Sequence, residues 1–467
     1  RPVSWRRGLV AALAFVLTLP AVTTRLYAAD EIEYFAFLRS LWFDQDLSFD
    51  NEYRYFVDTG ATRDPGFVTT FLEAETATGL RPNYGTVGSA ILWAPFYALA
   101  DAGVALSRLA GSETPRDGYA RPYLVAVTWG SACYGLLALW LSAVVAARLG
   151  GRGVPAAVAV GFGTPLIFYM YVAPGMAHAT SAFAVALFVW TWLLVRERWS
   201  VRGTMWLAAS GALMAMVREQ EAFLVLVPVV DYGWSAVRAA DLPRAVRLRE
   251  AVHRFVAAGA AFAVCFLPQA IAYLTLNGRL GPSPVIGAKM HWTSPWSLPV
   301  LFSPEHGWVF WTPLVVLAIG GLVMTAVRPP GSFRGIGRVA SLLLFGLALE
   351  VYVTGSVASW TLAGAFGQRR FVGLTVCLVI GLGWLLARAE RPTARRALAA
   401  ATVLFAWWNL GLAFQFGAGW MDRQRLELGP NAWNTFVEVP RQLPSLTYRY
   451  LFDRSSFYEV SRRPSPE

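Results

Sequence analysis

The chain is built from apolar runs of about twenty residues, the length a helix needs to cross a bilayer. They are separated by short basic segments and by longer segments rich in aromatic residues. Within each run the apolar residues are continuous rather than alternating, which predicts helices and argues against a β-barrel. Crossings are expected over 8–29, 121–148, 154–172, 177–195, 203–217, 221–238, 255–276, 307–327, 338–359, 367–387 and 397–416. That is about 11 transmembrane helices, within bounds of about 10–13. Arg1, Arg6 and Arg7 precede the first run and place the N-terminus in the cytoplasm. Residues 30–85 are then external. There Tyr34, Phe37, Leu38, Leu41 and Trp42 recur at helical spacing and predict an amphipathic helix over 33–43, lying on the membrane face. Asp44-Gln45-Asp46, Asp64-Pro65-Gly66 and Arg81-Pro82-Asn83 punctuate the rest as turns.

The run 86–109 decides the parity of everything after it. If both it and 121–148 crossed, Arg148 and Arg152 would share their side with every later Arg-rich loop, at 196–198, 238–254, 328–338 and 388–396, and all would lie outside. The run is also interrupted by Pro95, Tyr97 and Asp101, so it is expected to be re-entrant or interfacial. Four regions follow. Residues 1–29 form the cytoplasmic N-terminus and first span, and 30–120 an external loop with amphipathic and re-entrant helices. Residues 121–416 form a multi-span helical membrane domain, and 417–467 a short external tail. The external face also receives loops 172–177, 218–221, 277–306 and 360–368, and it is where chemistry is expected.

Composition agrees with this all-α integral membrane reading. The chain is 56% hydrophobic and only 15% charged, against about 25% charged in a soluble domain. The net charge of +11 sits in short loops, which fits topology and contact with anionic membrane lipids. No basic tract is interleaved with aromatics, so nucleic acid is not an expected partner. Cys133, Cys265 and Cys377 lie far apart inside apolar runs and form neither a metal spacing nor a disulfide framework.

Candidate chemistry clusters on the external segments. Asp30, Glu31 and Glu33 put three carboxylates into four positions at the mouth of the first span. A carboxylate partly desolvated beside a bilayer holds its proton more tightly than in water and can act as a general base on a hydroxyl. The same pair equally fits the capped first turn of a surface helix. Asp30 and Glu31 are the candidate catalytic residues, and Glu33 reads as a solvated helix residue. Tyr84, in Arg81-Pro82-Asn83-Tyr84-Gly85, is a candidate lining for a lipid or sugar head group. Arg218, in Arg218-Glu219-Gln220-Glu221, is either paired with a neighbouring glutamate or an anion ligand. Ser303 and Glu305 fit the start of a helix beside His306, a candidate phosphate ligand or proton shuttle. Trp360 opens a segment that ends in Arg369 and Arg370. Two arginines entering a membrane are costly unless they meet an anion, and their forked geometry suits phosphate oxygens.

Asp30-Glu31-x-x-Tyr34, followed by Ser40-Leu41, Asp44-x-Asp46-Leu47 and Asn51-x-Tyr53, resembles the opening of bacterial GT-C superfamily membrane glycosyltransferases. The likeness is to the family 39-like group that includes protein O-mannosyltransferases and aminoarabinose transferases. Leu301-Phe302-Ser303-Pro304, Gly307, Trp311-x-Pro313 and Trp360 through Gly364-x-Phe366-Gly367-x-Arg369 look like later landmarks of the same group. The resemblance implies a GT-C-like fold in a bacterial inner membrane, with the active site on the periplasmic or extracellular face. It implies transfer of a sugar from a polyprenyl-phosphate donor to a hydroxyl on an acceptor glycan, lipid or protein. Asp30 would be the base, Glu31 would orient it or help hold a divalent metal where one is used, and Arg369 would bind the donor phosphate. Where many relatives carry Pro-His after Asp-Glu, this chain has Ile32-Glu33. A transporter or flippase for a lipid-linked or anionic substrate would use the same acids and arginines, and a lipid-linked glycan polymerase or ligase would use sister chemistry.

Overall fold

A computed structural model describes residues 5–62, 64–238, 243–330, 335–362, 364–454 and 456. Arg1, the side chains of Arg6 and Arg7, and the last eleven residues of the tail lie outside the described residues. Among those described, every extended element is a helix. Seven helices are long and apolar enough to cross a membrane: Gly88–Leu109, Arg121–Arg148, His178–Val195, Arg244–Asn277, Ile336–Ser356, Arg369–Arg388 and Pro392–Ala418. Shorter apolar helices run over Ala12–Ala21, Gly153–Gly163, Val201–Val217 and Leu314–Val327. The chain is a helical membrane protein by length and composition of these elements.

Several expected spans are broken, and proline accounts for three of the breaks. The first run ends early: the helix Trp5–Thr18 passes into a tight turn, Leu19–Ala21, and residues 22–28 are not helical. Pro20 has no N–H to donate and disfavours helix in the residue before it. Likewise 154–172 becomes Gly153–Gly163 and Leu166–Tyr171 on either side of Pro165, and 307–327 becomes Trp308–Trp311 and Leu314–Val327 around Pro313. The run 221–238 starts as a tight turn, Glu219–Val225, before the helix Leu226–Arg238.

The chain forms two compact units. One comprises 23–136 and 173–290. At its core the helix Ala29–Arg39 buries Ile32, Phe35, Ala36, Phe37 and Leu38 together with Glu31 and Glu33. It is therefore buried on all sides, not laid on a surface as an amphipathic helix. Around it the aromatics of 49–71 pack edge to face: Phe35 against Phe56 at 5.7 Å, and Phe37 against Phe49 at 5.1 Å. Such pairs add about 1 kcal/mol each beyond their buried area.

The segment 86–109, expected to be re-entrant or interfacial, is one continuous helix, Gly88–Leu109. Its start and its middle are nonetheless tied to the 29–58 segment. Before its start, Tyr84 donates its N–H to Glu33. The loop after it folds back along the helix, so that the Tyr97 hydroxyl donates to the Gly118 carbonyl at 2.9 Å. There Arg39 donates to the Asp117 carbonyl at 3.1 Å and Tyr119 stacks on Tyr55 at 3.9 Å. Asp101 accepts a two-pronged pair from Arg116 at 2.8 and 2.7 Å, plus the Tyr123 hydroxyl at 2.8 Å.

The other unit comprises 1–22, 137–172 and 291–467. Small residues set its helix spacing: a Cβ added to Gly321 would lie 1.9 Å from the Gly381 carbonyl oxygen. Close approach of this kind is how helices associate where lipid removes the hydrophobic drive. The described part of the tail is helical, over Leu428–Trp433 and Val439–Phe452. It docks through the Gln415 amide, which donates to Thr435 Oγ1 at 2.8 Å, and through Asn431 Nδ2, which donates to Gln415 Oε1 at 3.0 Å. Arg454 donates to the carbonyls of Pro20, Ala21 and Val22 and so pins the turn that ends the first helix.

Candidate active site

The Ala29–Arg39 helix begins where Ala28 is extended and cannot cap it with a side chain. Glu31 does so instead: its Oε2 accepts the N–H groups of Tyr27 at 3.1 Å and Ala28 at 3.2 Å. A carboxylate at this position satisfies otherwise orphaned donors and complements the helix dipole. Glu33, two residues further along the helix, accepts the Tyr84 N–H. The turn that presents this donor is itself held in place. Asn83 Nδ2 donates to the Glu33 carbonyl at 2.9 Å, and Asn83 Oδ1 accepts the Gly85 N–H at 2.9 Å. The Tyr53 hydroxyl donates to the Pro82 carbonyl at 2.9 Å. A Cβ at Gly85 would lie 3.0 Å from Asn83 Oδ1 and 3.2 Å from the Tyr34 ring, so the turn approaches the helix closely here and a larger residue would have to displace one of them slightly.

The three acids are thus graded by environment. Burial pushes the Glu33 carboxyl up to about 8, with the neighbouring Asp30 adding to the rise and the N–H groups of Tyr84 and Gly85 opposing it. Burial pushes Glu31 up to about 7 against the opposing N–H bonds from Tyr27 and Ala28. Asp30 is half-buried, at the water-accessible edge of the cluster. The solvated role expected for Glu33 is overturned. It is 5% exposed, because the 82–85 turn closes over it.

Two more segments complete this unit's site. A Cβ on Gly175 would lie 3.0 Å from Glu31 Oε1, which places the 172–177 loop directly against the acid. His178 follows, and its Nδ1 accepts from Arg218, whose other terminal nitrogen donates to Gln220 Oε1 at 3.1 Å. Arg218 thus hydrogen-bonds a histidine, while its charge also acts on the neighbouring Glu221. Glu221 accepts the Ser181 hydroxyl and Glu219 the Tyr273 hydroxyl. Tyr84 contributes its backbone N–H, while its ring packs on Phe71 at 5.8 Å. The sequence reading missed His178 and Lys289. Lys289 is the sole lysine in the chain, and its charge opposes the rise at Glu33. Its singularity among forty basic residues was the available signal.

In the other unit, His306, Trp360, Arg369 and Arg370 come together differently from expectation. Ser303 Oγ accepts the Glu305 N–H at 3.1 Å, and the helix starts only at Trp308, so neither residue caps it. His306 adopts φ 64°, a left-handed conformation uncommon outside glycine. Its ring is fully buried, stacked on Trp311 at 4.7 Å, with Nε2–H donating to the Ala365 carbonyl at 2.8 Å. Burial lowers its pKa, with the Arg369 charge acting in the same direction. A neutral, enclosed imidazole is poorly suited to gripping phosphate. Gln368 Nε2 donates to the carbonyls of His306 and Trp360, joining the two stretches. Trp360 stacks on Trp296 at 6.1 Å, and Arg370 donates to Ser359 Oγ at 3.2 Å.

No protein-family model, curated protein or solved structure matches the chain. Among the described residues no group of three or more His, Cys, Asp or Glu is arranged to hold a metal ion. Glu31 is folded back on its own helix start and Glu33 faces the 82–85 turn, so the acid cluster does not converge on one divalent cation.

Proposed function

We propose that the protein is a GT-C-like glycosyltransferase that moves a sugar from a polyprenyl-phosphate donor to an acceptor hydroxyl at the outer membrane face. In this reading Asp30 takes the hydroxyl proton, Glu31 positions Asp30 by fixing the helix start, and Arg369 meets the donor phosphate. The observation that carries it is the graded burial of the three acids. Two glutamates are enclosed and held by backbone N–H groups, and Asp30 alone stands at the edge. A phosphate leaving group needs little acid assistance, so positioning and charge stabilisation supply most of the rate. About eleven crossings remain the proposed topology. Attachment of the start of Gly88–Leu109, and of its middle through the returning 116–119 loop, to the 29–58 segment supports leaving that helix on the external side.

The test is transfer from a panel of polyprenyl-phosphate sugars by purified protein, comparing wild type with Asp30→Asn. Loss of on the order of a hundredfold or more in kcat is expected for removal of a general base. Full activity in the variant would remove Asp30 from the chemistry.

A further inference from the structure

The helices His178–Val195, Val201–Val217, Leu226–Arg238 and Arg244–Asn277 enclose a cavity of about 270 Å³ within a single unit. It lies in the half of these helices nearest the 196–200 turn, well away from the acid cluster at their other ends. Its wall is almost wholly apolar, with Phe188, Leu207, Val229 and Phe262 among the lining residues. Gly259 also lines it, and a Cβ there would meet nothing within 4 Å. The Arg244–Asn277 helix is mostly uncovered by protein, so the cavity borders the surface that lipid would meet.

Polar groups gather at one place on this wall. Arg254 donates to the Trp199 carbonyl, to Glu250 at 3.1 Å and to the Tyr232 hydroxyl at 3.3 Å. The Trp199 indole N–H is buried and has no partner among the described residues. Arg196 is paired with Asp231, but the adjoining stretches also carry Arg198, Arg202, Arg244, Arg247 and Arg249 against Glu197 and Glu250, a local excess of positive charge. Trp199 and Arg254 both line this otherwise apolar slot at its basic end, with further cations around it, and that combination matches one ligand chemistry. That chemistry is a hydrocarbon chain joined to an anionic, acceptor-rich head.

We infer that this cavity is a binding site for one anionic phospholipid, its acyl chain along Phe188–Phe262 and its phosphate or ester oxygens at Trp199 and Arg254. The site is independent of the glycosyl-transfer reading. Occupancy would fill a void that otherwise leaves its lining without contacts, and it would tie the four helices together from the basic side.

Native mass spectrometry of the purified full chain in detergent tests this, with phosphatidylglycerol and phosphatidylcholine of identical chains added in turn. Wild type is expected to retain one phosphatidylglycerol in preference to phosphatidylcholine. Gly259→Phe should abolish that retention by filling the slot, and Trp199→Phe should weaken it about fivefold, the equivalent of one hydrogen bond. Near-ultraviolet circular dichroism reports whether each variant folds, and Trp199→Phe serves if Gly259→Phe does not. Equal retention of both lipids, or wild-type retention of phosphatidylglycerol by a folded variant, overturns the proposal.

Discussion

Glu33→Gln should make the protein more stable as the solution becomes more alkaline, the reverse of what losing a charged group usually does. The glutamine keeps the size of the side chain and an oxygen for the Tyr84 N–H. What it removes is the proton equilibrium. In the folded chain burial raises the Glu33 carboxyl from its ordinary 4.5 to about 8. An acid whose folded pKa is raised contributes stability that is full below about 4.5 and is lost as pH rises through about 8. Over pH 5 to 7.5 the unfolded chain has released this proton while the folded chain still holds most of it. The wild type should therefore lose about 3 kcal/mol relative to the variant across that window. For a chain of this size that is roughly 3 °C in Tm. The twenty tryptophans make intrinsic fluorescence a convenient melt signal in detergent. The difference in Tm between Glu33→Gln and wild type should be smallest at pH 5 and widen steadily toward pH 7.5. A difference that stays constant across the window, or that narrows, would refute the placement of Glu33 as a buried, mostly protonated acid.

Asp30→Asn should move the same pH response toward lower pH, since Asp30 adds to the rise at Glu33, and the melt series reads this without any substrate. Arg116→Met should destabilise modestly, because Asp101 stays in place with only Tyr123 and Trp42 to answer it and the pair is open to solvent on the Arg116 side. The double variant with Asp101→Asn should recover part of the loss in a denaturant or thermal melt. Gly321→Ala should lower Tm by several degrees, since its Cβ would occupy the space of the Gly381 carbonyl and two helices must separate. Arg369→Ala should weaken binding of a polyprenyl-phosphate sugar several-fold by titration; unchanged affinity would transfer the proposed phosphate role to Arg370 or Arg218.

Periodicity and composition by themselves determined that this chain is a set of apolar helices with most of its charge outside the apolar runs. That much is local chemistry: a run such as 121–148 has one low-energy way to satisfy its backbone in hydrocarbon. The three acids at 30–33 were equally visible as an anomaly of placement. Their ranking was not, because it depends on partners distant in the chain. Glu33 is buried by a turn some fifty residues later, and Glu31 lies beneath Gly175, from yet another loop. The pattern at 33–43 was misjudged for a related reason. Helical spacing marks an apolar stripe, but it cannot say whether the opposite stripe meets water or the aromatics of 49–71. Burial, and with it the protonation of a carboxyl, belongs to the packed structure, since desolvation is a sum over every neighbour that displaces water.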